Sequence, residues 1–198
     1  SVASYTIPGQ GSMPVTVNNS GQIGVYSYAE SAVGIGVDMW DGNYGELASV
    51  TNSGNIEVQT QYGLYASGVT VYNEHGDISI SNTATGNIEV VNANEYQGLA
   101  AGIVARSKYG DITISNAGDI LVGNSPWRSN GIRAENKYGD VTVSNSGTID
   151  SYAVNGFADG ITVFASTSDV SVSNSQYGTL LADGSDYSSG IRVFGATG

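Results

Sequence analysis

The chain of 198 residues contains no cysteine, three prolines and six lysines and arginines in total. Without cysteine there is no disulfide, no thiolate zinc ligand and no thiol nucleophile. Six cations against 18 aspartates and glutamates leave a net charge of −12. That is too little positive charge to follow a phosphate backbone, so no nucleic-acid partner is expected. The acidity itself reads as solubility. Charged residues of either sign make up 12% of the chain, and no Ala-, Leu-, Glu- and Lys-rich window carries a helical period, which argues against a helical architecture. No apolar run approaches the length of a membrane helix, and no secretory leader is recognisable. The segment is therefore not expected to insert into a membrane and reads as a mature or excised piece.

What is present in quantity is glycine, 28 residues of it, with Ser and Asn for turns and Val, Ile, Thr and Tyr for strands. One phrase recurs six times: an alternating triplet, a polar residue and an Asn. It runs Val15-Thr16-Val17 to Asn19, Ala48-Ser49-Val50 to Asn52, Ile78-Ser79-Ile80 to Asn82, Ile112-Thr113-Ile114 to Asn116, Val141-Thr142-Val143 to Asn145 and Val170-Ser171-Val172 to Asn174, with Asn spacings of 33, 30, 34, 29 and 29. A unit of that length cannot bury its own apolar face, so copies must stack.

Each copy holds two further strand signals. One is centred on Ile23, Ile56, Ile88, Ile120, Ile149 and Leu180. The other opens with Gly: Gly34-Ile35, Gly68-Val69, Gly102-Ile103, Gly131-Ile132, Gly160-Ile161 and Gly190-Ile191. Apolar residues alternate with polar or variable ones in all of them, the period of half-buried strands, and proline is absent from them. The predicted fold is all-β: a right-handed parallel β-helix (β-solenoid) of about six coils of three short strands each, the hand following the general rule for parallel crossovers. Residues 15–198 form the repeats. Residues 1–14 do not fit the pattern and are expected to cap the N-terminal end. A sandwich does not need one phrase six times, and a propeller blade needs four strands.

Stacking turns each repeat position into a column. Asn19, Asn52, Asn82, Asn116, Asn145 and Asn174 form a structural ladder, since stacked amides can hydrogen-bond along the axis. Thr16, Ser49, Ser79, Thr113, Thr142 and Ser171 face solvent beside them. Asp77, Asp111, Asp140 and Asp169 make an acidic column in which each carboxylate is expected to accept backbone N–H groups at its turn; Ca²⁺ bridging adjacent members is the one metal such a column could hold, and no other cofactor is expected. An aromatic–Gly pair precedes this position at Tyr44-Gly45, His75-Gly76, Tyr109-Gly110 and Tyr138-Gly139. The lone His thus reads as a ring in an aromatic stack, and the Gly as supplying a positive-φ turn. Loops between the second and third strands vary most and carry Tyr62, Tyr65, Tyr96, Trp127, Arg128, Phe157 and Tyr187, candidate recognition residues on a rigid scaffold. Arg133 and Arg192 project from the third strand two coils apart and are not expected to form a compact cluster.

Gly110-Asp111-Ile112-Thr113-Ile114-Ser115-Asn116-Ala117-Gly118-Asp119-Ile120 and Gly139-Asp140-Val141-Thr142-Val143-Ser144-Asn145-Ser146-Gly147-Thr148-Ile149 resemble the repeats of bacterial autotransporter passenger domains (type V secretion) and of other secreted β-helix adhesins. The resemblance spans residues 15–198, and lack of cysteine is typical of that family. It implies an extracellular, surface-exposed stalk serving adhesion, aggregation or filament assembly. Expected partners are other copies of the chain, through head-to-tail or lateral stacking, or a host or bacterial surface protein or glycan. A full member would also need a C-terminal β-barrel in its precursor. No catalytic residues are assigned and the chain is not expected to be an enzyme: the carboxylate column obeys the repeat, whereas an active site is a local departure from it. The alternatives are a polysaccharide-active lyase or hydrolase, for which β-helices are also used, and a ligand- or ice-binding solenoid.

Overall fold

The computed structural model describes residues 14–39, 45–94 and 98–195. Residues 1–13, most of the expected cap, lie outside that set, as do Tyr44 and Tyr96. The described residues wind into six coils of three strands. Coil one holds β1 (Val15–Asn19), β2 (Gln22–Ser27) and β3 (Ala32–Met39); coil two β4 (Ala48–Asn52), β5 (Asn55–Thr60) and β6 (Tyr65–Asn73); coil three β7 (Ile78–Asn82), β8 (Asn87–Asn92) and β9 (Leu99–Ser107). Coil four holds β10 (Ile112–Asn116), β11 (Asp119–Ser125) and β12 (Arg128–Asn136); coil five β13 (Val141–Asn145), β14 (Thr148–Ala153) and β15 (Phe157–Ala165); coil six β16 (Val170–Asn174), β17 (Thr179–Gly184) and β18 (Tyr187–Gly195). Equivalent strands pair in parallel into three six-stranded sheets, each in coil order. The chain is a β-solenoid.

Register makes the columns real. In the first sheet Ala48, Ile78, Ile112 and Val141 align with their side chains buried, while Ser49, Ser79, Thr113 and Thr142 align on the outer face. Ile56, Ile88, Ile120 and Ile149 form the buried column of the second sheet. Val69, Ile103, Ile132 and Ile161 form that of the third. The three columns meet in one apolar interior running the length of the stack, and each fully buried branched side chain contributes about 1.5–3 kcal/mol.

The third sheet departs from the expectation that its strand opens at Gly. From coil two onward the strand starts three residues earlier, is nine residues long, and bends at the Gly. The bend has a steric cause: a Cβ on Gly102 would collide with Ile120 Cγ2 of the second sheet and lie 2.6 Å from the Gly131 carbonyl oxygen. The glycines of the aromatic–Gly pairs also need correction. Gly45 alone among the described glycines has a left-handed φ, of 96°. Gly110 and Gly139 are required instead because each packs against the backbone of the same glycine one coil earlier, Gly76 and Gly110.

Candidate binding trough on the third sheet

The Asn residues form a continuous axial ladder. Asn19 Nδ2 donates to Asn52 Oδ1 at 2.8 Å, and the same bond joins Asn52 to Asn82, Asn82 to Asn116, Asn116 to Asn145 and Asn145 to Asn174 at 2.7–2.8 Å. The second amide hydrogen goes to a carbonyl of the adjoining bend, such as Gly118 O at 3.0 Å from Asn116. Both donors and the acceptor of each interior amide are thus committed to the scaffold. The acidic column is a single file: the amides of Asp111, Asp140 and Asp169 donate to Oδ1 of Asp77, Asp111 and Asp140 at 2.9, 2.8 and 3.1 Å. The amide that each carboxylate accepts therefore belongs to the next coil, not to its own turn. Among the described residues no three His, Asp or Glu side chains converge in a metal-binding group. His75 stacks on Tyr109 at 5.0 Å, and Tyr109 on Tyr138 at 5.2 Å.

The candidate recognition residues separate into two groups. Tyr62 and Trp127 sit in bends and are exposed, Tyr62 edge-on to Tyr28 at 5.0 Å. Tyr65, Arg128, Phe157 and Tyr187 are not loop residues. Each opens a third-sheet strand, and with Leu99 they align in one outward column, in the order Tyr65, Leu99, Arg128, Phe157, Tyr187. A second outward column lies across the same sheet: Asp38, Tyr72, Arg106, Glu135, Phe164 and Phe194. Between them, on either side of the Gly bend, run Ser67, Ala101, Asn130 and Asp159, then Thr70, Val104, Arg133, Thr162 and Arg192.

These four columns make a trough parallel to the coil axis. Much of its floor is buried although it faces outward: Ser67, Asn130, Asp159, Val104 and Thr162 are buried, while Thr70, Arg133 and Arg192 are half-buried. Tyr65 Oη lies 3.2 Å from Thr70 Oγ1, and Thr162 Oγ1 donates to Asn130 Oδ1 at 3.1 Å. Three depressions of about 460, 150 and 360 Å³ open on this sheet.

The electrostatics of the trough invert those of the chain. All six cations, Arg106, Lys108, Arg128, Arg133, Lys137 and Arg192, lie on the third sheet or in the bends leaving it. Asp159 is fully buried and sits between Arg128 of the coil before and Arg192 of the coil after, at 3.3 and 3.0 Å. A buried carboxylate is tolerable only when so paired. Arg133 and Arg106 share Glu135, Arg106 at 3.0 Å. The Arg133 and Arg128 guanidiniums lie 5.0 and 5.9 Å from the Phe164 ring, which stacks on Phe194 at 4.7 Å, and Arg192 covers Tyr187 at 4.1 Å. The arginines therefore do gather, against the sequence expectation: the small Thr162 separates Arg133 from Arg192 in their column, and long side chains bridge coils only about 4.8 Å apart. Burial, reinforced by the positive charge of Arg133, pushes the Arg128 pKa below its ordinary value, with Asp159 opposing.

Sequence reasoning missed Asp159 and the irregularity beside it. In β11 the register slips between Val122 and Ser125, and Asn124 takes a left-handed φ of 56°. The bulge precedes the bend that carries Trp127 and leads into Arg128 of the trough wall, with Ser125 Oγ donating to the Arg128 carbonyl at 2.7 Å. Gly123-Asn124, with Pro126 following, was the available signal, since Asn is among the few residues that adopt such a φ. Asp159 had a signal too: it precedes the bend glycine where other coils place Ser67, Ala101, Asn130 and Ser189.

No curated protein and no solved structure matches the chain. A family model described as Toastrack DUF4097 matches residues 7–155. That span includes the first four coils, so the chain, a structural repeat module of stacked three-strand coils, belongs to the Toastrack DUF4097 family.

Proposed function

We propose that this module is a rigid stalk segment of a secreted, surface-exposed bacterial β-helix protein of the autotransporter-passenger kind. It holds adhesive side chains away from the cell and joins neighbours by coil stacking. The observation that carries the reading is a rigid interior, with the Asn ladder and one apolar core continuous through the coils, that presents exposed aromatic side chains from its bends. Ile161 and Val163 of coil five are 0% exposed, whereas their equivalents in coil six, Ile191 and Val193, are 40% and 48% exposed. In this reading a second copy stacked on coil six would pair with β18 and cover them. The exposed Tyr62 and Trp127 suit contact with a surface protein or glycan. In this reading the chain is not an enzyme and needs no cofactor.

Display of the chain on a non-adherent bacterium tests it. Cells should autoaggregate or bind glycan- or protein-coated surfaces. Val193→Asp should reduce self-association, and Trp127→Ala should reduce binding to the coated surface. Cells that neither clump nor adhere, or release of sugar fragments from acidic polysaccharides by the purified chain, would refute the proposal.

A further inference from the structure

We propose that the trough around Arg128, Arg133 and Arg192 is a binding site for the carboxylate or sulfate groups of an extended acidic saccharide. This deepens the adhesive reading by naming a ligand class, and rests on it only for where that ligand is met.

Three independent features point to an oxyanion. First, a chain of net charge −12 places four of its six cations on the third sheet and the other two, Lys108 and Lys137, in the bends leaving it. Solubility alone gives no reason for that segregation. Second, the cluster is under-neutralised. Four guanidiniums, of Arg106, Arg128, Arg133 and Arg192, face three carboxylates: Asp159 and Glu135, which pair with them, and Asp38, which shares a depression with Arg106. Third, donors are left over. Arg128 Nε and Arg192 Nη2 are buried and make no hydrogen bond, the latter lying 3.0 Å from Asp159 Oδ1 without hydrogen-bond geometry. Buried donors without acceptors are costly, and the planar guanidinium fork matches a two-oxygen anion.

The walls choose the class of molecule. Phe157 on coil five and Tyr187 and Phe194 on coil six are partly exposed rings flanking the cationic floor. A saccharide presents apolar ring faces to such rings and spaces its anions along a chain, which suits a trough parallel to the coil axis.

Isothermal titration of the purified chain tests the site, with oligogalacturonate as carboxylated probe, a heparin oligosaccharide as sulfated probe, and cello-oligosaccharide and a single-stranded oligonucleotide as comparators. One or both acidic saccharides should bind at low salt and weaken at high salt; which of them binds distinguishes carboxylate from sulfate. Arg133→Gln should weaken binding about tenfold, the loss of one charge-assisted hydrogen bond. Asp150→Asn, on the second sheet, should leave it within about twofold. Arg192→Gln, on the last coil, gives the same readout should Arg133→Gln fail to fold. The proposal is overturned if neither acidic saccharide binds the wild-type chain, if the folded arginine variant binds undiminished, or if the oligonucleotide or the neutral saccharide binds more tightly. Saccharide binding without cell adhesion would sink the stalk reading and leave the site standing; adhesion without saccharide binding would do the reverse.

Discussion

Coils five and six carry the same third-strand phrase and live in different environments. Gly160-Ile161-Thr162-Val163 lies inside the stack, with both apolar side chains inaccessible; Gly190-Ile191-Arg192-Val193 lies at its end, with both half-open to water. The same holds for the bend glycines. A Cβ on Gly102 meets side chain and backbone at collision distance, whereas one on Gly190 meets nothing closer than 3.9 Å. It holds for the ladder as well: Asn116 is bonded on both sides and buried, while Asn174 accepts from Asn145 and is exposed. Burial in a solenoid is conferred by the next coil, not by a residue's own neighbours in sequence. Identical local chemistry therefore has position-dependent energetic weight.

That contrast can be broken at several points, tested by urea unfolding midpoints. The largest effect is expected at Ile103→Ala, which should cost about 2–5 kcal/mol through lost burial and a residual cavity. Ile191→Ala, in the same column, should cost less than about half as much. Equal costs would mean that coil six is covered in solution, the outcome that coil stacking between copies requires. Next comes Gly102→Ala, expected to lose about 1–3 kcal/mol by overpacking, against a change within about 0.5 kcal/mol for Gly190→Ala. Asn116→Ala should follow at about 1–3 kcal/mol, because it strands the Asn82 donor and the Asn145 acceptor in a buried row. Asn174→Ala should cost only a fraction of that. The smallest effect is expected on removing divalent cations: each interior carboxylate of the Asp file already accepts a backbone amide, so the melting curve should not move with EDTA. A clear drop would assign Ca²⁺ to the column.

Much of the scaffold was legible in the sequence because its rules are local and periodic. Alternation of Ile and Thr in Ile112-Thr113-Ile114 dictates which face is buried, and recurrence of Asn about every thirty residues dictates the stack. The trough was largely illegible. Tyr65, Arg128, Phe157 and Tyr187 read as scattered loop residues because the distance from the preceding strand varies between coils; only register shows that they form one column. Asp159 stood among Ser, Ala and Asn equivalents and carried no motif. Its meaning comes from Arg128 and Arg192, 31 and 33 residues away along the chain and in direct contact across coils.

The amino-acid sequence by itself determined an all-β chain of six stacked repeats, its inward columns, its Asn ladder positions and its acidic, cysteine-free surface, since hydrophobic period and turn chemistry act within a few residues. Only the tertiary structure decided where the strand bends, which outward side chains share a trough, and that the cations converge around one buried carboxylate. Those outcomes depend on the coil-to-coil spacing and on the reach of long side chains across it, and neither is encoded in any single repeat.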